Sequence, residues 1–318
     1  MSQVQWKMES QRSAFGHALL ELGRENPKVV VVGADTTESL KTSMFGKEFP
    51  DRLFNIGIAE QNMMGIAAGL AASGKIAFAA TYAVFGTAQV YSVIRQSIAY
   101  PKLDVKIFCS HAGLSVGPDG ATHQMNEDIA LMRGLPNMTV IVPCDAPETG
   151  RMVKAAAGVR GPVYCRFARS DVPTITSIDD EFKIGKASTL RDGSDVTLAG
   201  CGIMVAKCIE AAQKLESEGI DARVLNMSTI KPIDTDAIRM AARETGAIVS
   251  AEEHSIVHGL GSAIASEVVR SKPVPMEMIG VPDRFGMSGD GDELLEKFGL
   301  TPARIVEAAE RVVKMKGG

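Results

Sequence analysis

The sequence predicts an α/β protein with two doubly wound domains, each a parallel sheet covered by helices on both faces. Apolar runs of strand length alternate with helix-period runs along nearly the whole chain, and this β-α-β-α order is typical of doubly wound sheets. The strand candidates do not alternate with polar residues; the candidate at residues 28–32, for example, is a lysine followed by four consecutive valines. Continuous apolarity is what parallel strands buried on both faces show.

The first half of the chain contains six candidate strands and five candidate helices. Val-, Ile- and Leu-rich runs predict strands at residues 28–32, 53–56, 76–81, 105–110, 138–142 and 163–167. Helix-period runs predict helices at residues 14–22, 60–72, 85–99, 127–133 and 149–157. The uncharged stretch 76–94 is long enough to raise the question of a membrane span, but its polar residues favour a buried strand followed by a buried helix.

A polar, broken stretch from Ser170 to Lys186 marks the expected domain boundary. We therefore expect a first domain over residues 1–175 and a second, smaller domain over residues 186–318. The pattern restarts in the second domain, with strands expected at residues 196–199, 222–226, 247–251 and 276–279. Helices are expected at residues 204–215, 235–243, 261–269 and 302–314, with a surface helix from Glu293.

Composition narrows the functional class. The 318 residues carry a net charge of −4 with scattered Lys and Arg, so no basic stripe indicates nucleic-acid binding. The five cysteines form no C-x-x-C pair and are interpreted as reduced core residues. No signal peptide is visible at the N-terminus. We expect a cytoplasmic protein without a membrane or nucleic-acid partner.

Three motifs suggest ligand sites, and each has a better structural explanation. The segment 288–292 (Ser-Gly-Asp-Gly-Asp) resembles a metal loop, but we favour a turn and helix N-cap. The segment 259–263 (Gly-Leu-Gly-Ser-Ala) lacks the third glycine of a dinucleotide loop and favours close helix–strand packing. His254 and His258 straddle a strand end and not one helical face, so an ordinary polar strand end is favoured over a metal site, and none is predicted.

The segment from Gly117 to Gln124 is the most informative stretch of the sequence. A Gly/Pro turn presents the carboxylate of Asp119 and the imidazole of His123, four residues apart. Loops at the ends of parallel strands commonly carry the chemistry of α/β proteins. A histidine beside an aspartate can bind the hydroxyls of a polar substrate and move protons near neutral pH.

Four ordered motifs give the chain a resemblance to transketolase. They are Asn55-Ile-Gly-Ile-Ala-Glu-Gln61, Ala80-Thr-Tyr-Ala-Val-Phe85, residues 110–124 (Ser-His-Ala-Gly-Leu-Ser-Val-Gly-Pro-Asp-Gly-Ala-Thr-His-Gln), and Leu135-Pro-Asn-Met-Thr-Val-Ile-Val-Pro143. The resemblance covers the C-terminal half of a usual transketolase. It implies a pyrimidine-type domain that binds thiamine diphosphate, followed by a transketolase C-terminal-type domain.

The resemblance implies a role for each matching residue. Glu60 matches the catalytic glutamate that hydrogen-bonds the aminopyrimidine ring of thiamine diphosphate. Phe85 matches the aromatic residue that stacks on that ring, and Tyr82 lies beside it, so these three residues are expected to bind the cofactor. Asp119 and His123 are expected to contact the hydroxyls of the sugar, with His123 also catalytic, and His111 is expected to help hold the distal phosphate. The other expected contacts of that phosphate, or of an equally tetrahedral sulfonate, are Arg169, Arg12 and Ser39.

The departure from the family pattern implies a partner. A usual transketolase holds the cofactor diphosphate and its Mg²⁺ with an N-terminal domain containing Gly-Asp-Gly, whereas Gly289-Asp-Gly291 here lies in the C-terminal-type region. The resemblance therefore implies a split transketolase, whose separate N-terminal subunit holds the diphosphate and Mg²⁺, in an α₂β₂ heterotetramer.

The implied reaction is transfer of a two-carbon ketol unit from a ketose phosphate to an aldose or its phosphate. A ketol transferase acting on a branched or sulfonated sugar matches the sequence equally well. Deoxyxylulose-phosphate synthase shares two of the motifs, and the beta subunit of 2-oxoacid dehydrogenases such as pyruvate dehydrogenase shares the split. A non-catalytic regulatory subunit is disfavoured because Glu60 is present.

Overall fold

The computed structural model describes residues 5–316, so the outermost residues of both expected domains lie outside the described range. Within it the strands are β1 (Met8–Glu9), β2 (Val29–Gly33), β3 (Leu53–Asn55), β4 (Ile76–Tyr82), β5 (Val105–Ser110), β6 (Thr139–Ile141), β7 (Val163–Arg166), β8 (Val172–Pro173), β9 (Ser188–Arg191), β10 (Val196–Gly200), β11 (Ala222–Asn226), β12 (Thr229–Lys231), β13 (Ile248–Ser255) and β14 (Met276–Val281).

The α-helices in the same range are α1 (Gln11–Glu25), α2 (Ser43–Glu48), α3 (Glu60–Ala72), α4 (Ala83–Gly86), α5 (Tyr91–Val93), α6 (Asp128–Gly134), α7 (Ala146–Gly158), α8 (Met204–Ser217), α9 (Thr235–Glu244), α10 (Leu260–Ser271), α11 (Gly291–Lys297) and α12 (Pro302–Lys316). Tighter or wider turns complete the helical segments: 3₁₀ at Pro50–Arg52, Ala88–Val90 and Leu114–Asp119, and π at Ile94–Ala99.

The larger sheet has the strand order β12-β6-β7-β5-β4-β2-β3. Its neighbouring strands run parallel, except that β12 is antiparallel to β6. From β2 the chain moves to β3 at one edge and then returns to β4 on the other side of β2. The switch point of the sheet therefore lies between β2 and β4, and α/β proteins bind ligands in the crevice at such a point.

The valines of β2 explain why this sheet is covered on both faces. Val31 packs in a cluster with Phe15 of α1, whereas Val30 packs in a different cluster with Met63 of α3. Successive side chains of a strand point to opposite faces, so a run of valines needs helices on both sides. The predicted α/β fold class is confirmed by this arrangement.

The second sheet has the strand order β14-β13-β10-β11-β9, with β9 antiparallel to β11. On one face, Leu198 shares a cluster with Met204 of α8 and Ile305 of α12. On the other face, Ala199 shares a cluster with Ile238 of α9. That cluster continues into the first sheet, so the two sheets share part of their apolar core.

The helix predicted over residues 85–99 is wrong as a single element. The segment contains α4, a 3₁₀ turn, α5 and a π-helix in succession. The Thr87 hydroxyl donates a hydrogen bond of 2.6 Å to the Ala83 carbonyl, and Thr87 itself leaves helical geometry at φ −130°. A buried Thr that bonds back to the preceding turn bends or breaks a helix. Apolar spacing alone does not detect this break.

Several short elements were not predicted, including β1, α2, β8, β9 and β12. Strand β12 connects the two halves of the chain. Strand β12 follows the boundary assigned from sequence, yet it pairs with β6 of the larger sheet. In addition, β13 extends to Ser255, four residues beyond the predicted strand end at Ala251. This extension places Glu252, Glu253 and His254 inside a buried strand.

The three motifs that suggested ligand sites have structural roles. Asp290 is the N-cap of α11, and its carboxylate accepts hydrogen bonds from the Asp292 and Glu293 N–H groups. Any Cβ at Gly261 would lie 2.7 Å from the Ser250 hydroxyl, which confirms close helix–strand packing. Nε2 of His254 accepts the Ala130 N–H at 3.3 Å. The predicted turn, packing and polar strand interpretations are confirmed.

The cysteines and the uncharged segment 76–94 are also explained by the fold. All five cysteines are free thiols in buried positions, and burial raises their pKa values. Segment 76–94 begins as β4 and continues into the broken helical region. Among residues 5–316, no helix combines the length and apolarity needed to cross a bilayer.

Candidate functional site at the carboxyl edge of the larger sheet

Most of the predicted site residues lie just beyond the carboxyl ends of neighbouring parallel strands. In order across the sheet they are Arg169 after β7, His111 after β5, Tyr82 and Phe85 at and after β4, Ser39 after β2, and Glu60 after β3. Arg12 is in the first turn of α1, and Asp119 and His123 belong to the loop after β5. The fold thus brings distant sequence motifs to one edge.

Hydrogen bonds and stacking connect this edge across the switch point between β2 and β4. The Tyr82 hydroxyl donates to the Ser39 hydroxyl at 3.0 Å. Nη1 of Arg12 donates to the Ser39 carbonyl at 3.1 Å. The Tyr82 ring stacks on the His111 ring with a centroid separation of 3.9 Å. Tyr82 therefore contacts predicted substrate residues, and its part in binding the cofactor stays a prediction.

Arg12 and Arg169 form a cationic pocket next to these residues. Burial lowers the pKa of Arg12, and repulsion from the Arg169 guanidinium lowers it further. The Nε atom of Arg12 is buried without a hydrogen-bond partner among the described residues, and Nη1 of Arg169 donates to the Val116 carbonyl at 3.0 Å. Two neighbouring guanidiniums, of which Arg12 has a buried donor without a partner, match a phosphate or sulfonate oxygen cluster.

His111 is held as a neutral imidazole in this pocket. Burial lowers its pKa to about 3, and the charges of Arg12, Arg169 and His123 contribute. Its Nδ1 lies 2.7 Å from the Ser110 hydroxyl. A neutral imidazole can bind a ligand oxygen as a hydrogen-bonding group and not as a cation.

Because the pKa of His111 falls from an ordinary 6.5 to about 3 on folding, the folded chain binds fewer protons than the unfolded chain between these values. Stability is therefore lost as the pH falls through this range. We expect His111→Gln to reduce the loss of unfolding free energy between pH 7 and pH 5 by about 1 to 2 kcal/mol, measured by urea denaturation.

The matched control for this measurement is His17→Gln on the exposed face of α1. It should leave the pH dependence unchanged. If the His111 variant and the wild type lost equal stability on acidification, the neutral state of His111 would be wrong.

The loop from Gly113 to His123 is shaped by glycines with positive φ. Gly113, Gly117 and Gly120 have φ values of 83°, 77° and 74°, which only glycine adopts without strain. They turn the chain so that Asp119 is exposed and His123 is half-buried. This predicted pair lies on one tight loop, hereafter the substrate loop, defined as residues 113–123.

His123 faces the aromatic end of the site. Its ring meets the Phe85 ring edge-on, at 5.4 Å between centroids and 86° between planes. Nδ1 of His123 lies 2.9 Å from the Thr122 hydroxyl. This contact occupies one ring nitrogen and leaves Nε2 for a ligand.

Glu60 begins α3, and its side chain is buried. The Gln89 amide donates to Glu60 Oε2 at 3.4 Å, a long hydrogen bond. Gln89 lies in the 3₁₀ turn that replaces the predicted helix, and for that reason sequence periodicity did not identify it as a site residue. A carboxyl group at the first turn of a helix is also favoured by the helix dipole.

Arg166 and Arg169 are separated by the fold. Arg166 is buried, where Nη1 forms an ion pair of 2.9 Å with Asp128, whereas Arg169 extends to the substrate loop. Arg166 therefore lies outside the candidate site, and the assignment of Arg169 to the substrate anion stays a prediction. Among residues 5–316, no group of three or more His, Cys, Asp or Glu side chains is arranged to hold a metal ion.

Sequence reasoning missed two side chains that shape the substrate loop. The Gln124 amide donates to the carbonyls of Leu114, Gly117 and Met287, and the Glu253 carboxylate accepts the Ser115 N–H. Gln124 lies within a recognised motif, which was a usable signal. Glu253 lies far along the chain in β13, and no local pattern connects it to the loop.

Family models match both halves of the chain. The transketolase pyrimidine binding domain matches residues 7–174, and the transketolase C-terminal domain matches residues 185–305.

Curated relatives of similar length include subunits of two named transketolases. The 6-deoxy-6-sulfo-D-fructose transketolase subunit SqwH of Clostridium sp. is 41% identical over 305 residues, 96% of this chain and 95% of that protein. One of the subunits of the apulose-4-phosphate transketolase of Phocaeicola vulgatus is 42% identical over 304 residues, 95% of this chain and 97% of that protein.

A similar solved structure is described as a split gene transketolase, inactive beta4 tetramer. It superimposes with a TM-score of 0.89 at 51% sequence identity, and the match covers 96% of this chain and 98% of that one.

Proposed function

Because this chain belongs to the transketolase family, we propose that it is the pyrimidine-binding and C-terminal subunit of a split ketol transferase. The proposed activity moves a two-carbon ketol unit from a ketose phosphate to an aldose or aldose phosphate, with thiamine diphosphate and Mg²⁺. One observation carries the proposal. The guanidiniums of Arg12 and Arg169 lie at the same sheet edge as the buried carboxyl of Glu60 and the aromatic ring of Phe85, with the imidazoles of His111 and His123 beside them.

The residues present are suited to the aminopyrimidine half of thiamine diphosphate. Among the described residues, the buried carboxyl group of Glu60 accepts one long hydrogen bond, from Gln89, so it has hydrogen-bonding capacity for a ligand. Phe85 offers a half-buried aromatic ring close to His123, and flat rings stack well on flat heterocycles. When bound, the cofactor supplies a carbon nucleophile and an electron sink. Glu60 would hold and move a proton at a pyrimidine ring nitrogen.

The substrate loop and the cationic pocket would orient the ketose. Nε2 of His123 is free to bind or protonate a sugar hydroxyl, since Nδ1 is occupied by Thr122. The exposed Asp119 carboxylate would accept a hydroxyl hydrogen bond and so distinguish sugar configurations. Neutral His111 would hydrogen-bond the chain near its charged end, where Arg12 and Arg169 would bind the anion.

The terminal anion of the ketose is the finer part of the proposal. Similar proteins are named for a sulfonated ketose and for a branched sugar phosphate. Guanidiniums bind a phosphate and a sulfonate through the same tetrahedral oxygen geometry. We therefore propose that the donor is a ketose with a tetrahedral terminal anion. The assay below distinguishes the anion and the sugar skeleton.

A second subunit is proposed to hold the diphosphate and Mg²⁺. Similar proteins of matching length are named as subunits, and the similar solved structure is described as a split gene transketolase in an inactive beta4 form. The Gly289-Asp-Gly291 turn has a structural role, since Oδ1 of Asp290 caps α11. We propose that the two kinds of subunit form an α₂β₂ assembly.

The test is co-expression with a candidate N-terminal subunit that carries the Gly-Asp-Gly motif, followed by assay with thiamine diphosphate and Mg²⁺. Donors would include ketose phosphates, a 6-sulfonated ketose and an uncharged ketose, each with several aldose acceptors. Transfer of a two-carbon unit supports the proposal. If the complex assembles but transfers no two-carbon unit between any donor and acceptor, the proposal is wrong.

We expect the purified chain without a partner to bind thiamine diphosphate poorly. Titration calorimetry with Mg²⁺ present should show binding at least about 100-fold weaker than in the complex, because most of the favourable contacts of the diphosphate and its metal are lost. Phe85→Ala in the complex should weaken binding further. Affinity for the isolated chain equal to that of the complex would contradict the division of the site.

A further inference from the structure

A buried polar cluster joins β13 in the C-terminal half to the substrate loop. Glu253 is 7% exposed, and its strand carries polar side chains through a buried region. One carboxylate oxygen of Glu253 accepts the backbone N–H of Ser115 at 2.5 Å. A hydrogen bond from a neutral N–H to a buried carboxylate is charge-assisted and stronger than a neutral one.

The substrate loop is shaped to receive this carboxylate. A Cβ atom at Gly113 would lie 2.3 Å from the carboxyl carbon of Glu253, closer than real side-chain atoms approach. Any residue other than glycine at position 113 would displace the Glu253 carboxyl or the loop. The loop glycine and the distant glutamate therefore fit as a pair.

Glu253 also belongs to a chain of contacts that ends at the proposed anion site. The Arg166 Nη2 atom donates to the backbone carbonyl of Glu253 at 2.9 Å, and Arg166 Nη1 pairs with Asp128. On the loop side, Ser115 is followed by Val116, whose carbonyl accepts a hydrogen bond from Arg169. A shift at Ser115 is thus transmitted to the guanidinium that would bind the substrate.

We infer that Glu253 is a positioning residue, by which the C-terminal domain fixes the substrate loop and, through it, Asp119, His123 and Arg169. This inference rests on the proposed function, because it assumes that these three residues contact the ketose. It assigns the C-terminal domain a part in donor binding. A loop held by a charged acceptor starts in its binding shape and loses less entropy when the ligand binds.

The protonation state of Glu253 provides a second way to test its role. Burial raises its pKa to about 7, while attraction by Arg166 and the Ser115 hydrogen bond oppose this rise and Asp128 adds to it. Protonation converts the acceptor into a weaker, neutral one, so the loop should loosen as the pH falls through about 7. Glutamine at this position does not titrate, so the loop of the Glu253→Gln variant should not loosen as the pH falls.

The test compares Glu253→Gln with Glu252→Gln as a matched control. The substitution of Glu253 keeps the side-chain volume and spares the hydrogen bond between Arg166 and the backbone carbonyl, so we expect the variant to fold. Glu252 is the adjacent buried glutamate, and its carboxylate instead accepts the N–H groups of Leu260 and Gly261 at the start of α10. The two variants thus make the same chemical change, and only one of them affects the substrate loop.

Hydrogen–deuterium exchange of the full chain gives a readout that does not depend on turnover. Glu253→Gln should speed exchange in peptides covering residues 113–119 by about fivefold, the equivalent of one weakened hydrogen bond, whereas Glu252→Gln should speed exchange only near residues 260–261. In wild type, exchange in the loop relative to its intrinsic rate should rise as the pH falls from 8 to 6, and in Glu253→Gln it should stay flat.

Kinetics of the assembled complex then connect the loop to the substrate. Glu253→Gln should raise the KM for the charged ketose donor by about fivefold with a smaller change in kcat, and Glu252→Gln should leave both unchanged. The inference is wrong if the substrate loop of Glu253→Gln exchanges at the wild-type rate. It is also wrong if the loop exchanges faster but the KM for the donor does not change. Failure of the proposed function would look different, since the wild-type complex itself would then transfer no ketol unit.

Discussion

Replacing Glu60 with glutamine in the assembled complex should lower kcat by about 10²- to 10⁴-fold, the range that a positioned acid–base group contributes. Glutamine keeps the shape and hydrogen-bonding reach of the side chain, but it cannot give and take a proton. Because glutamine fills the same volume as the buried Glu60 and can still accept the long hydrogen bond from Gln89, the substitution disturbs little packing. Thermal unfolding and complex assembly should therefore match wild type, and Glu60→Ala should behave in the same way.

The matched control is Glu21→Gln, the same chemical change at an exposed position on α1 where Glu21 pairs with Lys154. This variant should retain full turnover. Retention of near wild-type turnover in Glu60→Gln, within an assembled complex, would remove the acid–base role. It would favour the regulatory-subunit alternative or a different proton carrier.

The second large effect is expected at the cationic pocket. Arg169→Ala and Arg12→Ala should each raise the KM for a ketose phosphate by about 10- to 100-fold, since hydrogen bonds to charged groups contribute about 1.5–3 kcal/mol each. An uncharged ketose of the same skeleton should be transferred with nearly unchanged KM. The KM for a sulfonated ketose should rise together with the KM for the ketose phosphate, because both anions use the same guanidinium donors.

The two arginines should not act independently. Repulsion from Arg169 lowers the pKa of Arg12, so removing one guanidinium relieves a cost borne by the other, and the double variant should differ from the sum of the single ones. Arg24→Ala, at an exposed residue paired with Glu48, is the control and should leave donor KM unchanged. Equal losses for charged and uncharged donors would show that the pocket does not bind the anion.

Local sequence patterns were sufficient wherever a segment's own burial decides its structure. Helix α3 and strand β5 begin and end at the residues predicted for them, since their apolar spacing and flanking turns lie within the segment. The motif around Asp119 and His123 was recognisable because its glycines and proline impose a loop whatever surrounds it. Glu60 and Phe85 could be named as candidates because each belongs to one of the four ordered motifs.

The sequence by itself determined the α/β class, the order of most elements and the residues that lie beyond the strand ends. Tertiary structure decided the break at Thr87, the pairing of β12 with the larger sheet, and the contact between Ser115 and Glu253, which are 138 residues apart. The physical reason is the distance along the chain over which each feature is decided. Periodicity reports whether a residue is buried, whereas the partner it meets depends on how distant elements pack.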